Sequence, residues 1–117
     1  NTPDGSAVRD YINVVDLAKA HVIAVNRLLA DNNKAGYEIF NLGTGNGVSV
    51  LEAVNAFEKS TGVKLNYKIV GRRAGDIEKI WADTTFANIE LGWKAETGLE
   101  ETLLSAWNWE KRIRGIK

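Results

Sequence analysis

The run Tyr37-Glu38-Ile39-Phe40-Asn41-Leu42 carries apolar or aromatic side chains at both parities, Tyr37 and Ile39 on one and Phe40 and Leu42 on the other. A strand of this kind must be covered on two faces, unlike the alternating strand of a half-exposed sheet. It opens into Gly43-Thr44-Gly45-Asn46-Gly47, too rich in glycine for regular structure. Ser49 and Glu52 then stand at capping-box spacing, where each side chain satisfies the other's free backbone N–H, so a helix is predicted with Val50, Val54 and Phe57 inward and a stop at Gly62. A doubly buried strand, a glycine turn and a capped helix define a mixed α/β chain.

The flanking segments fit that class. Residues 1–8 read as loop, on Pro3, Asp4, Gly5 and Ser6. Arg9 to Val15 has the composition of a short strand, and from Asp16 the spacing predicts a helix with Leu17, His21, Ala24, Val25 and Leu28 on its inner face, ended by Asp31-Asn32-Asn33 and Gly36. Leu65, Tyr67 and Ile69 alternate with Asn66 and Lys68, the period of a half-buried strand. Asp83 is placed to cap a short helix through Leu91 that stops at Gly92, and Thr97 with Glu100 predicts a second capping box before a last helix packed through Leu99, Leu103, Ala106 and Trp107. Trp107 is expected in the core and Trp109 at the rim, since side chains two apart on a helix diverge.

At 117 residues with 44% hydrophobic side chains, the chain has one domain's worth of core. Fifteen basic and fifteen acidic residues cancel, against the basic stripe that nucleic acid or an anionic membrane selects. Absence of cysteine excludes disulfides and thiolate metal sites, and a single histidine disfavours zinc. No apolar run approaches a membrane span, and the first residues lack the cationic and apolar parts of a signal peptide. No methionine occurs, so Asn1 is expected to follow a cut or a processing event, and the chain is expected to be a fragment.

An anion site must therefore be local. Gly71-Arg72-Arg73-Ala74-Gly75-Asp76 sends two guanidiniums from a predicted strand end, and a fixed fork of always-charged donors suits a pyrophosphate. A solvated turn with pairs to neighbouring carboxylates is the alternative, and Asp76 is placed to orient a guanidinium or to accept a ribose hydroxyl. Gly43 to Gly47 departs from G-x-G-x-x-G, which favours a tight crossover over a dinucleotide turn, although its backbone donors remain able to approach a ligand. Arg9-Asp10-Tyr11 reads as a strand-end ion pair beside a core tyrosine, and His21 as a hydrogen-bonded core residue. No nucleophile with an adjacent base, paired carboxylates or metal cluster is legible, so no catalytic residue is assigned.

In order and spacing, Arg9-Asp10-Tyr11-Ile12-Asn13-Val14-Val15-Asp16-Leu17-Ala18, Tyr37 to Gly45, Arg72-Arg73-Ala74-Gly75-Asp76, Trp81-Ala82-Asp83 and Leu91-Gly92-Trp93 resemble the C-terminal part of the UDP-glucose 4-epimerases. These belong to the extended short-chain dehydrogenase/reductase superfamily, whose nucleotide-sugar dehydratases and decarboxylases share some of the motifs. The resemblance covers nearly the whole chain. Asn13 stands where that family usually has histidine, and Ala74 where glutamate is common.

The resemblance implies that residues 1–117 are the α/β C-terminal substrate-binding portion of a bilobal, NAD-binding Rossmann-type isomerase that interconverts UDP-glucose and UDP-galactose. It implies that Arg9 and Arg73 contact the diphosphate, that Asp76 holds the uridine ribose, that Tyr11 lies near the nucleotide and that Ile80 lies beside the sugar pocket. NAD, the Tyr-x-x-x-Lys pair and the usual dimer contact belong to the N-terminal lobe, so no cofactor is expected on this chain. The parent is expected to be a cytoplasmic homodimer with no nucleic-acid or membrane partner. Asp16 to Leu42 is expected to pack near the Rossmann sheet, leaving an apolar edge on a free chain. Another nucleotide-sugar enzyme and a non-catalytic nucleotide-binding module are the alternatives.

Overall fold

The computed structural model describes residues 2–116. Its elements run β1 (Val8–Arg9), α1 (Val14–Leu29), β2 (Val48–Ser49), α2 (Val50–Thr61), α3 (Thr85–Leu91) and α4 (Leu99–Arg114). β1 pairs antiparallel with β2, Val8 opposite Ser49 and Arg9 opposite Val48. On its other edge Val8 forms a parallel bridge to Lys79. Val8 is buried at the centre of this small sheet, and two distant stretches of the chain pair with it.

Local signals explain most helix ends. Ser49 Oγ accepts the Glu52 amide at 3.1 Å while Glu52 Oε1 accepts the Ser49 amide at 3.1 Å, so the predicted capping box forms. Gly62 and Gly92 close α2 and α3 with φ of 72° and 62°, a left-handed geometry that glycine adopts without a Cβ penalty. Asp83 Oδ1 accepts the Thr85 amide at 3.1 Å, although Thr84 is the capping position of α3. α2 packs along α4, with Phe57 edge-on to Trp107 at 5.8 Å, and Trp109 faces outward.

Other expectations need correction. The strand predicted for Arg9 to Val15 shrinks to β1, because Asn13 Oδ1 takes the Val15 amide at 2.8 Å and starts α1 at Val14, ahead of Asp16. The predicted inner face of α1 is also rotated. Ala20 and Ile23 join the core with Ala87, Leu91 and Trp93, whereas His21, Val25 and Leu28 are exposed. α1 is amphipathic, and the stripe packed on the core carries Asp16, Ala20 and Ile23 beside Arg27, whereas its apolar face is exposed; periodicity finds the apolar stripe but not which stripe is covered here. His21 is no core residue: its Nδ1 lies 2.8 Å from the Leu17 carbonyl, a bond within its own helix.

The second capping box does not form. Gly98 precedes α4, the Thr97 amide instead donates to buried Asp16 Oδ2 at 2.9 Å, and Glu100 pairs with Lys59 at 3.2 Å. Asp16 also accepts the Trp93 indole N–H on its main-chain oxygen at 2.9 Å, which ties α1 to the 93–97 segment. Leu65 to Ile69 has no regular structure and joins no ladder among the described residues, with Tyr67 and Ile69 exposed. Tyr37 to Leu42 likewise has no strand partner among the described residues. Phe40 and Leu42 pack on the core, while Tyr37 and Ile39 remain 79% and 73% exposed. The two-faced apolar pattern is present, and the described residues cover one of its faces. No helix of the described residues is long and apolar enough to cross a membrane.

One ion cluster binds that segment to two helices. Arg27 donates to Glu38 through Nε at 2.8 Å and to the Glu90 carbonyl at 2.9 Å, lies over the Phe40 ring at 5.7 Å, and shares Glu90 with Lys34. Hydrogen bonds from Arg27 hold the Glu38 carboxyl below its ordinary range, and Lys34 chiefly does the same for Glu90. Both contributions to stability are complete above the unfolded carboxylate value near about pH 4.3 and are lost as pH falls through the lower folded values. Replacing Arg27→Gln is expected to flatten the acid limb of stability between about pH 3 and 5, read as the urea midpoint against pH. Residues 1–117 made alone are expected to self-associate through Val25, Leu28, Tyr37 and Ile39, and sedimentation showing a monodisperse, cooperatively melting monomer would contradict this.

Candidate nucleotide-binding site

The pairing at Val8 brings two of the sequence-predicted site residues together. The Val8 amide donates to the Glu78 carbonyl at 2.9 Å, and the Ile80 amide donates to the Val8 carbonyl at 3.0 Å. That same carbonyl accepts the Arg9 guanidinium at 2.7 Å. The cationic head of Arg9 and the backbone of Ile80 therefore meet at one oxygen, although they are far apart in sequence. The Ile80 side chain is 51% exposed, and Tyr11 is half-buried one residue beyond Asp10.

Arg73 and Asp76 form the second group. Arg73 Nε donates to Asp76 Oδ2 at 2.9 Å and its terminal nitrogen to Oδ1 at 3.3 Å, a two-point grip on one carboxylate. The Arg73 side chain is 84% exposed, so most of its fork stays accessible. Gly75, at φ 83°, makes the turn that lets Asp76 fold back onto it. Arg72 is engaged separately, with Glu78 Oε1 at 2.9 Å and the Asp76 carbonyl at 3.0 Å, and this holds the Glu78 carboxyl low. Both arginines of the turn therefore meet neighbouring carboxylates, and both side chains stay more than half exposed.

Arg73 and Asp76 line a cavity of about 620 Å³ whose other walls include Asp4, Ser6, Tyr67 and Ile69. Arg9, Tyr11 and Ile80 do not line it, and no hydrogen bond joins Arg9 to Arg73 among the described residues. The link between the two groups is the 78–80 backbone paired to Val8. Asp4 anchors its wall by accepting the Ser49 hydroxyl and the Ser6 hydroxyl and amide, which hold its carboxyl below the ordinary range.

Sequence reasoning missed Asp10. It makes no ion pair with Arg9 among the described residues. Instead Oδ1 accepts the Thr44 amide at 2.9 Å and the Thr44 hydroxyl at 2.7 Å, and Oδ2 accepts the Gly45 amide at 3.1 Å and the Ala82 amide at 3.3 Å. Burial opposes ionisation here, but the donors outweigh it and the carboxyl sits below its ordinary range. A Cβ on Gly43 would lie 2.4 Å from Asp10 Oδ2 and 2.8 Å from the Ala82 Cβ, so the turn closes on the carboxylate only with glycine there. Gly43 to Gly47 is accordingly a crossover with its Thr44 and Gly45 donors spent on an internal anion. The available signal was a short acidic side chain at a strand end together with a Gly-Thr-Gly turn.

The profile of the GDP-mannose 4,6 dehydratase family matches residues 1–105. UDP-glucose 4-epimerase 1 of Oryza sativa subsp. japonica is 51% identical over 112 residues, 96% of this chain and 32% of that protein. The crystal structure of UDP-glucose 4-epimerase from Bifidobacterium longum in complex with NAD+ and UDP superposes with a TM-score of 0.87 at 47% identity, covering 96% of this chain and 32% of that one. The enzyme from Stenotrophomonas maltophila, with bound NAD and formylated UDP-arabinopyranose, gives a TM-score of 0.91 at 45% identity, covering 97% and 33%. The chain spans about a third of the length of the relatives it matches. With a family match running through residues 1–105, a fold shared with solved epimerases and identity near one half, the chain belongs to the GDP-mannose 4,6 dehydratase family and is similar, within it, to part of the UDP-glucose 4-epimerases.

Proposed function

We propose that these residues are the UDP-sugar-binding portion of an NAD-dependent UDP-glucose 4-epimerase that interconverts UDP-glucose and UDP-galactose. The observation that carries this reading is the pairing at Val8, which sets the Arg9 head beside Ile80 in the segment that also bears Arg73 and Asp76. In this reading Arg9 and Arg73 neutralise the diphosphate. Arg73 spends two of its five N–H donors on Asp76 and keeps the others for phosphate oxygens. Asp76, an acceptor with lone pairs beyond those Arg73 uses, takes a ribose hydroxyl. Tyr11 lies near the nucleotide, and the half-exposed Ile80 borders the sugar.

The residues here do not fit NAD, because the glycine turn that would approach a pyrophosphate is filled by the Asp10 carboxylate. The cofactor belongs in this reading to the lobe that covers Tyr37, Ile39 and the outer stripe of α1. The 117 residues also contain no Tyr-x-x-x-Lys sequence, so on their own they turn over no substrate. The parent is a cytoplasmic homodimer in the same reading.

In the intact protein, Arg73→Ala is expected to weaken UDP binding by about 10- to 100-fold, the worth of a charge-assisted hydrogen bond to phosphate. Calorimetry showing unchanged UDP affinity would overturn the assignment. Conversion of UDP-glucose to UDP-galactose by the intact protein separates this reading from another nucleotide-sugar enzyme.

A further inference from the structure

β1 is two residues long, and two main-chain bonds tie it to the 78–80 segment. In a continued parallel ladder residue 10 would donate its amide to the Ile80 carbonyl and accept the Ala82 amide on its main-chain oxygen. Here the Ala82 amide reaches the Asp10 side chain instead, at Oδ2. The same carboxylate collects the two donors of Thr44 and the amide of Gly45, so one side chain fastens the end of β1 to two other stretches of chain. The residues on either side of it are Arg9, whose head group shares the Val8 carbonyl with Ile80, and Tyr11.

We propose that Asp10 is a positioning residue for diphosphate recognition, holding β1 and the 78–82 segment in register so that the Arg9 guanidinium is fixed beside Ile80. This inference rests on the UDP reading above. A short, ionised carboxylate is the group that suits the position. An amide in its place would turn an N–H₂ toward amide donors, and a longer acid has no room, since even a Cβ on Gly43 would collide with Asp10. The lowered carboxyl of Asp10 agrees with an anion held by neutral donors.

The test is calorimetric titration of the intact protein and its variants with UDP and, separately, with uridine, which lacks the diphosphate. Asp10→Asn is expected to lower UDP affinity by about 10-fold with uridine affinity unchanged, and to cost nothing further in an Arg9→Ala background. Thr44→Val, which removes one donor and leaves the carboxylate, is expected to give the same pattern at about 3-fold, and it decides the matter should Asp10→Asn not fold. Equal losses for UDP and uridine, an undiminished loss in the Arg9→Ala background, or no loss at all would overturn the positioning role. Failure of the unsubstituted protein to bind UDP would overturn the reading on which it rests as well.

Discussion

One strand of two residues and the carboxylate that follows it hold the candidate site of this chain in shape. Val8 is paired on both edges, so the 48–49 and 78–80 stretches are neighbours because of it. Main-chain bonding of this length is weak by itself, since a short strand frays at both ends. Asp10 extends it with a side chain, and does so with an anion whose desolvation is offset by four donors. Everything attributed to Arg9 and Ile80 as a site follows from that local arrangement.

The charge logic of the chain is therefore more economical than its zero net charge suggests. Several cations are already matched by carboxylates: Arg27 with Glu38 and Glu90, Arg72 with Glu78, Arg73 with Asp76. The pairs differ in what they leave open. Arg27 is held from several directions against an aromatic ring and is structural. Arg73 is gripped from one side and presents the other to solvent, an arrangement that orients a guanidinium without consuming it.

How much of this the residues disclose depends on the range of the interaction. Contacts within a few positions were legible: the Ser49–Glu52 box, the glycine stops at Gly62 and Gly92, and the Arg73–Asp76 proximity. Contacts across tens of residues were not. Thr97 could cap α4 by spacing, but its amide goes to Asp16, 81 positions away, and no local pattern announces that. The inner face of α1 is hidden for a related reason, since the apolar stripe with His21, Val25 and Leu28 is exposed among the described residues and the core takes Ala20 and Ile23 from the other side. The role of Asp10 is hidden by its neighbour Arg9, which offers a local ion pair where the fold uses four neutral donors instead.

The enclosure of Asp10 changes what irregular structure means here. Thr44, Gly45 and Ala82 lie outside every helix and strand, yet their amides point at a single shared acceptor. Each is held by the same half-buried anion, so displacing the Asp10 carboxylate would leave all of them without that acceptor at once. The turn and the far segment thus depend on one side chain, a cross-link between two loops that no helix or strand supplies.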